Sequence, residues 1–182
     1  MYFDIIVAGF GGQGVLFIGN LLAYAAMAEG HKVTYMPVYG VEMRGGTANC
    51  TVVVSDDEIG SPVVQHPACS VVMNKPSLDK FGPLTRDDGL LIVNASLIKP
   101  QQVKVKGPEV LMVPCIELAK ETGNDRLFNM IILGVVAEKT GVTTLDSLKQ
   151  AMIDSLPKSA HKMIPANTRA LERGAAFARN GN

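Results

Sequence analysis

The apolar and polar positions along the chain alternate between strand-like and helix-like stretches. Tyr2 to Ala8 is apolar apart from Asp4 and reads as a buried strand. GFGGQG, Gly9 to Gly14, follows it, and Val15 to Ala28 then reads as an apolar helix with Gly30 as its stop. Lys32 to Met36 predicts a second strand, with Pro37 closing it and opening a loop. Strand, helix and strand in that order imply parallel strands joined by a right-handed crossover. Thr47 to Ser55 is rich in β-branched residues and predicts a third strand, ended by the turn cluster SDDEIGSP. Further strands are predicted over Cys69 to Asn74, in LLIVN after Asp87-Asp88-Gly89, and over Glu109 to Pro114, with a short helix starting at Pro76.

Beyond Pro114 the pattern turns helical. Helices are predicted over Cys115 to Glu121, Arg126 to Lys139 (stopped by Gly141), Thr144 to Leu156 (with Thr144 as cap) and Pro165 to Arg179. The stretch from Pro157 to Lys162 reads as a hinge before the last helix. Leu16, Gly19, Ala23 and Ala26 give the first helix a stripe of mostly small residues, which lets a helix approach a sheet closely. LFNMIILGVVAE is apolar nearly all round apart from Asn129, so it is either buried on all sides or covered by a partner. Strands interleaved with helices early and helices late fit α/β architecture. One domain over residues 1–182 is expected, three-layer α/β/α with a mostly parallel, Rossmann-like sheet.

Composition narrows the function classes. Hydrophobic residues make up 47% of the 182 and charged residues 19%, as in a globular protein with a full core. Seventeen basic residues balance seventeen acidic ones, so no basic excess exists to meet a nucleic-acid backbone. Trp is absent and aromatics are only 5%, which leaves few platforms for stacking bases. Cys50, Cys69 and Cys115 are scattered, without a CxxC spacing or a Cys/His cluster for zinc or iron–sulfur. They read as small buried hydrophobes in a reducing cytoplasm. No signal peptide precedes the first strand, and Val15 to Ala28 is too short to span a bilayer, so a soluble protein is expected.

Two glycine-framed segments carry the candidate chemistry. In the first, Gly9, Gly11 and Gly14 follow a strand and open a helix, the context of a dinucleotide fingerprint. The free N–H groups and positive dipole end of such a helix suit a phosphate or carboxylate, with the Gln13 amide at its mouth. An NAD site also needs an acid at the end of the second strand, and an NADP site an Arg; here stand Tyr35-Met36-Pro37. The turn is therefore either an anion site or a device for tight strand-to-helix packing. No Walker lysine follows Gly14.

The second segment is YGVEMRGG, Tyr39 to Gly46. It places Glu42 and Arg44 between Gly40 and Gly45-Gly46. Flanking glycines allow close backbone approach, and an Arg fork suits carboxylate or phosphate. A contact role competes with a surface loop holding a solvated ion pair. His31, His66 and His161 lie in unrelated contexts, and no H-E-x-x-H, G-x-S-x-G or thiamine-type GDG motif occurs.

GFGGQGV, PVYGVEMRGGTANCTVVVS, SPVV and FNMIILG together resemble the gamma subunit of 2-oxoacid:ferredoxin (acceptor) oxidoreductases, in register from Ile6 to about Gly141. Asn167 to Gly174 is similar to the family's terminal helix. The resemblance implies a multisubunit enzyme that oxidatively decarboxylates a 2-oxoacid to acyl-CoA. Alpha and beta subunits would hold thiamine diphosphate and magnesium, and iron–sulfur clusters would lie in beta or a small delta subunit, with ferredoxin as acceptor. The gamma chain would be noncatalytic, serving assembly and coenzyme A access. Gly11, Gly12, Gln13 and Gly14 match its first motif; Tyr39, Gly40, Glu42, Arg44, Gly45 and Gly46 its second; Asn129 its later helix. The glycine turn and Arg44 are the expected anion or coenzyme A contacts, and the second motif with Asn129 the expected interface. SDDEIGSP and FNMIILG lean toward a 2-oxoglutarate-type subunit. A free-standing Rossmann-type nucleotide-binding oxidoreductase and a purely structural dimerising domain are the rival readings, and a homodimer is expected for the isolated chain.

Overall fold

Among the described residues, six strands form one mixed sheet in the order β2-β3-β1-β4-β5-β6. They are β1 (Tyr2–Phe10), β2 (Lys32–Tyr39), β3 (Thr47–Ser55), β4 (Cys69–Val72), β5 (Leu90–Asn94) and β6 (Glu109–Val113). The helices are α1 (Val15–Ala28), α2 (Lys75–Phe81), α3 (Cys115–Glu121), α4 (Phe128–Thr140), α5 (Leu145–Ser155) and α6 (Ile164–Asn180). The structure is a computed structural model and describes residues 1–39 and 47–180.

β1, β4, β5 and β6 pair in parallel, while β3 runs antiparallel to both β1 and β2. β1 and β2 thus point the same way, as a strand–helix–strand unit requires, but they are not neighbours. β3 follows β2 after a short connection, and short connections make antiparallel pairs; it takes the place beside β1. β2 also continues past its expected end at Met36, pairing Pro37 with Cys50 and Tyr39 with Ala48. It is an edge strand, where a residue without an N–H can leave its empty position on the unpaired side. β4 is shorter than expected, because Asn74 leaves the strand to cap α2, accepting from the Ser77 N–H at 2.9 Å.

Strand residues alternate between two cores. Ile5, Val7, Val52, Val71 and Ile92 join the larger cluster with residues of α1, α3, α4, α5 and α6. Ile6, Ala8, Val72, Leu91 and Val93 join a smaller one with Leu78, Phe81 and Ile98. Burial on both faces is why these strands read as continuous apolar runs. Helices therefore cover both faces in three layers.

The apolar helix α4 is covered by its own chain. Every residue from Met130 to Ala137 is buried. A Cβ on Gly134 would strike the Leu171 carbonyl of α6, and one on Gly174 would strike the Ile131 carbonyl of α4, so both glycines are needed for this crossing. Gly19 does the same for α1, whose closest approach is to Cys50 and the Tyr35 ring. The segment after Pro157 is a 3-10 turn, Lys158–Met163, rather than an open hinge. Glu29, at the end of α1, accepts from Thr143 Oγ1 (2.8 Å), Thr144 N (2.8 Å) and Thr144 Oγ1 (2.9 Å), fixing the start of α5.

Candidate functional site

After β1 the chain passes to α1 in the larger core, and after β4 it passes to α2 beside the smaller one. The carboxyl ends of these adjacent strands are therefore a topological switch point, where open α/β sheets bind ligands. The glycine turn lies there. Gly12 and Gly14 have φ of 94° and 73°, left-handed values that favour glycine. Gly14 is the N-cap of α1 and has no side chain to offer, so among the described residues the first-turn N–H groups have no capping side chain. Their carbonyls are held from behind: Tyr35 Oη donates to Leu16 O at 3.1 Å and Cys50 Sγ to Val15 O at 3.5 Å.

Gln13 does not face the helix mouth. Its Oε1 accepts from Phe10 N (2.7 Å) and Asn74 Nδ2 (3.0 Å), and its Nε2 donates to Met73 O (3.4 Å). The amide expected to meet a ligand instead fills the crevice between β1 and β4 and ties the turn to the start of α2. Asn94 extends this set from β5. Its Nδ2 donates to the same Met73 carbonyl at 3.1 Å, and its Oδ1 accepts from Cys115 Sγ (3.0 Å) and Ser96 N (3.1 Å). Asn74 and Asn94 were missed at the sequence level; their only signal is an Asn closing an apolar run.

A cleft of about 270 Å³ opens on the outer side of the turn, lined by Gly11, Gly12, Gly14, the first turn of α1, Tyr39 and Ala48. Tyr39 is 68% exposed at its rim. Asn129 of α4 packs against Gly14 so closely that a Cβ there would meet its Nδ2 at 2.5 Å. Gly11, Gly12, Gly14, Tyr39 and Asn129 thus come together. Gly40, Glu42, Arg44, Gly45 and Gly46 lie outside the described residues, but the flanking Tyr39 and Ala48 both border the cleft. Among the described residues no charged side chain lines it, and the first turn of α1 forms part of its wall.

The three thiols are buried, and burial pushes Cys50 and Cys115 up to about 12 and raises Cys69 as well. They are neutral packing groups and not nucleophiles. Burial likewise raises Tyr35 to about 12, keeping its hydroxyl a donor. His66 contacts Leu84 O at 3.3 Å and His161 contacts Leu156 O at 3.0 Å, each far from the turn in its local partners. Among the described residues no three His, Cys, Asp or Glu side chains could hold a metal ion, and no helix is long and apolar enough to cross a membrane.

A sheet with a glycine turn at its switch point, and without an acid at the end of β2, defines an α/β domain with a Rossmann-like turn that lacks the ribose-binding acid of a dinucleotide site. The model of the pyruvate ferredoxin/flavodoxin oxidoreductase family matches residues 4–177, and the chain belongs to that family. It is 40% identical over 178 residues to ketoisovalerate oxidoreductase subunit VorA of Methanothermobacter marburgensis, an alignment covering 95% of this chain and 36% of VorA. The chain therefore spans only about a third of that relative. It is 33% identical over 160 residues to 2-oxoglutarate synthase subunit KorC of Methanothermobacter thermautotrophicus, covering 85% of each. Its fold matches 2-oxoglutarate:ferredoxin oxidoreductase from Magnetococcus marinus with a TM-score of 0.88 at 22% identity, over 98% of this chain and 31% of that one. That structure is described as holding 2-oxoglutarate, coenzyme A and succinyl-CoA.

Proposed function

We propose that this chain is the gamma component of a cytoplasmic, multisubunit 2-oxoacid:ferredoxin oxidoreductase and has no complete active site of its own. The family match over residues 4–177 carries this reading, supported by the reciprocal coverage with KorC. Thiamine diphosphate, magnesium and iron–sulfur clusters would be held by the alpha, beta and delta partners, and ferredoxin would take the electrons. The described residues offer no metal cluster, and their thiols are buried and neutral, so they do not fit a cluster-binding role.

This chain's part is to dock on the catalytic subunits and border the entry of coenzyme A. The cleft beside the glycine turn, about 270 Å³, is below the ~300–1,000 Å³ of sites that enclose an organic ligand. It suits one phosphate group or one partner side chain, held by the free N–H groups of α1 and by Arg44 of the adjoining loop. A dinucleotide would need the crevice that Gln13 fills and a ribose-binding carboxylate at the end of β2, where Met36 to Tyr39 supply none. The free-standing nucleotide-dependent reading is disfavoured on both counts.

The relatives do not single out 2-oxoglutarate. The 40% relative is named for ketoisovalerate and the 33% relative for 2-oxoglutarate. Ketoisovalerate is thus the first substrate to assay and 2-oxoglutarate the second. The test uses the complex carrying Arg44→Ala, measured for subunit assembly and for the KM of coenzyme A. A weakened assembly or a raised KM supports the reading; both unchanged overturns the role given to this surface. Without its partners, the isolated chain is expected to self-associate through the same surface, visible as a dimer by light scattering.

A further inference from the structure

The two sides of the sheet are covered unequally, and the thinner one holds a feature the proposed function does not use. Between β5 and β6 the chain makes a 3-10 turn, Pro100–Gln102, and then crosses this side as Val103-Lys104-Val105-Lys106. Val103 is extended, with φ −87° and ψ 100°. Val103 and Val105 pack on the smaller core, whereas Lys104 and Lys106 are exposed, the period-two pattern of a strand. Among the described residues no strand pairs with it. Among the described residues, no backbone hydrogen bond engages the N–H or C=O groups of Lys104, Val105 or Lys106.

This strap borders a groove of about 750 Å³ whose other wall is Lys75, Leu78, Asp79 and Pro83. Lys75 is already paired with Asp79. Lys104 and Lys106 make no ion pair among the described residues. The chain as a whole is neutral, with 17 basic and 17 acidic residues, so this pair of free cations is a local feature rather than a share of a general basic excess. Free backbone donors and acceptors, side by side on an extended segment, are what a sheet edge offers to an incoming strand. A phosphate ester would use the donors and leave the carbonyls bare.

We propose that the Val103–Lys106 strap and its groove bind an extended acidic segment of a partner protein, added as a strand, with carboxylates at alternate positions meeting Lys104 and Lys106. Same-side residues of such a strand are spaced about 6.5–7 Å apart, which sets the acid-x-acid register. Apolar residues between the acids would face the Leu78, Pro83 and Val105 floor. The proposal is independent of the glycine-turn surface.

The test titrates the full ¹⁵N-labelled chain with the peptide acetyl-Thr-Glu-Val-Glu-Val-Glu-Thr-amide, alongside a peptide with Lys in place of each Glu, and with ADP and pyrophosphate. The expected result is shifts and slowed hydrogen exchange at the amides of Lys104 to Lys106 with the acidic peptide alone. Affinity should fall about tenfold in Lys104→Glu/Lys106→Glu, as two exposed attractions become repulsions. Both lysines are exposed, so the variant's unfolding midpoint should match the parent's. Binding elsewhere, unchanged affinity in the double variant, or shifts at the strap with ADP or pyrophosphate but not with the peptide would each overturn the proposal.

Discussion

Gly134 and Gly11 show two opposite reasons for the same residue. At Gly134 an added Cβ would strike the Leu171 carbonyl of the facing helix; at Gly11 it would meet nothing within 4 Å, and φ is not positive there. The first glycine is dictated by the packing of this chain. The second is dictated by nothing among the described residues, although it sits at the rim of the switch-point cleft. A position the fold leaves free, in the segment that borders the cleft, is where contact with another molecule is to be sought. Between them stand Gly12 and Gly14, which the turn itself requires.

Substitutions at these glycines and their neighbours separate packing roles from contact roles. Gly134→Val should cost about 3 kcal/mol or more, because backbone at a helix crossing cannot yield as side chains do; denaturant unfolding measures it. Gln13→Leu should cost about 1–3 kcal/mol, since the Phe10 N–H and the Asn74 amide lose their shared acceptor. The same assay should show it, with faster hydrogen exchange confined to the turn. Gly12→Ala should cost about 1–2 kcal/mol through its left-handed φ, without altering the helix crossing.

A smaller, pH-dependent effect sits at the other end of α1. Burial acts to raise the Glu29 carboxyl, but hydrogen bonds from Ser147, Thr144 and Thr143 outweigh it and hold the group below the ordinary carboxylate range. The stabilisation from Glu29 is then complete above the unfolded value of about 4.3 and lost as pH falls through the lower folded value. Glu29→Gln should therefore narrow its stability gap to the parent below about pH 4, measured as unfolding midpoint against pH. Last, Gly11→Ala should change stability by less than about 0.5 kcal/mol, yet weaken assembly with partner subunits in a pull-down.

Much of the frame was legible in the sequence because it is written in local patterns. β3 runs from Thr47 to Ser55 and α1 from Val15 to Ala28, as β-branched content and apolar periodicity indicate. Thr144 caps α5 through Ser147 N at 3.1 Å, and Gly141 ends α4 in a left-handed conformation. What the sequence hid depends on neighbours distant along the chain. Pro37 stays in a strand only because β2 is at the edge, and the insertion of β3 between β1 and β2 is a fact of pairing rather than propensity. The apolar circumference of α4 left own-chain burial and partner cover equally open until α6 was seen across Gly134 and Gly174. Gln13 turns inward because Asn74, 61 positions away, arrives beside it, which spacing within the turn could not reveal. The meeting of Asn129 with Gly14 is of the same kind.

The proposed function requires that any turnover by this chain depend on a larger oxidoreductase. Its most direct test is reconstitution of 2-oxoacid- and coenzyme A-dependent ferredoxin reduction from the thiamine diphosphate-binding and iron–sulfur partner chains, with and without this one. Activity with ketoisovalerate or 2-oxoglutarate is expected only when this chain is present, with no turnover by this chain alone. Full activity without it, or turnover of any 2-oxoacid by it unaided, would overturn that dependence.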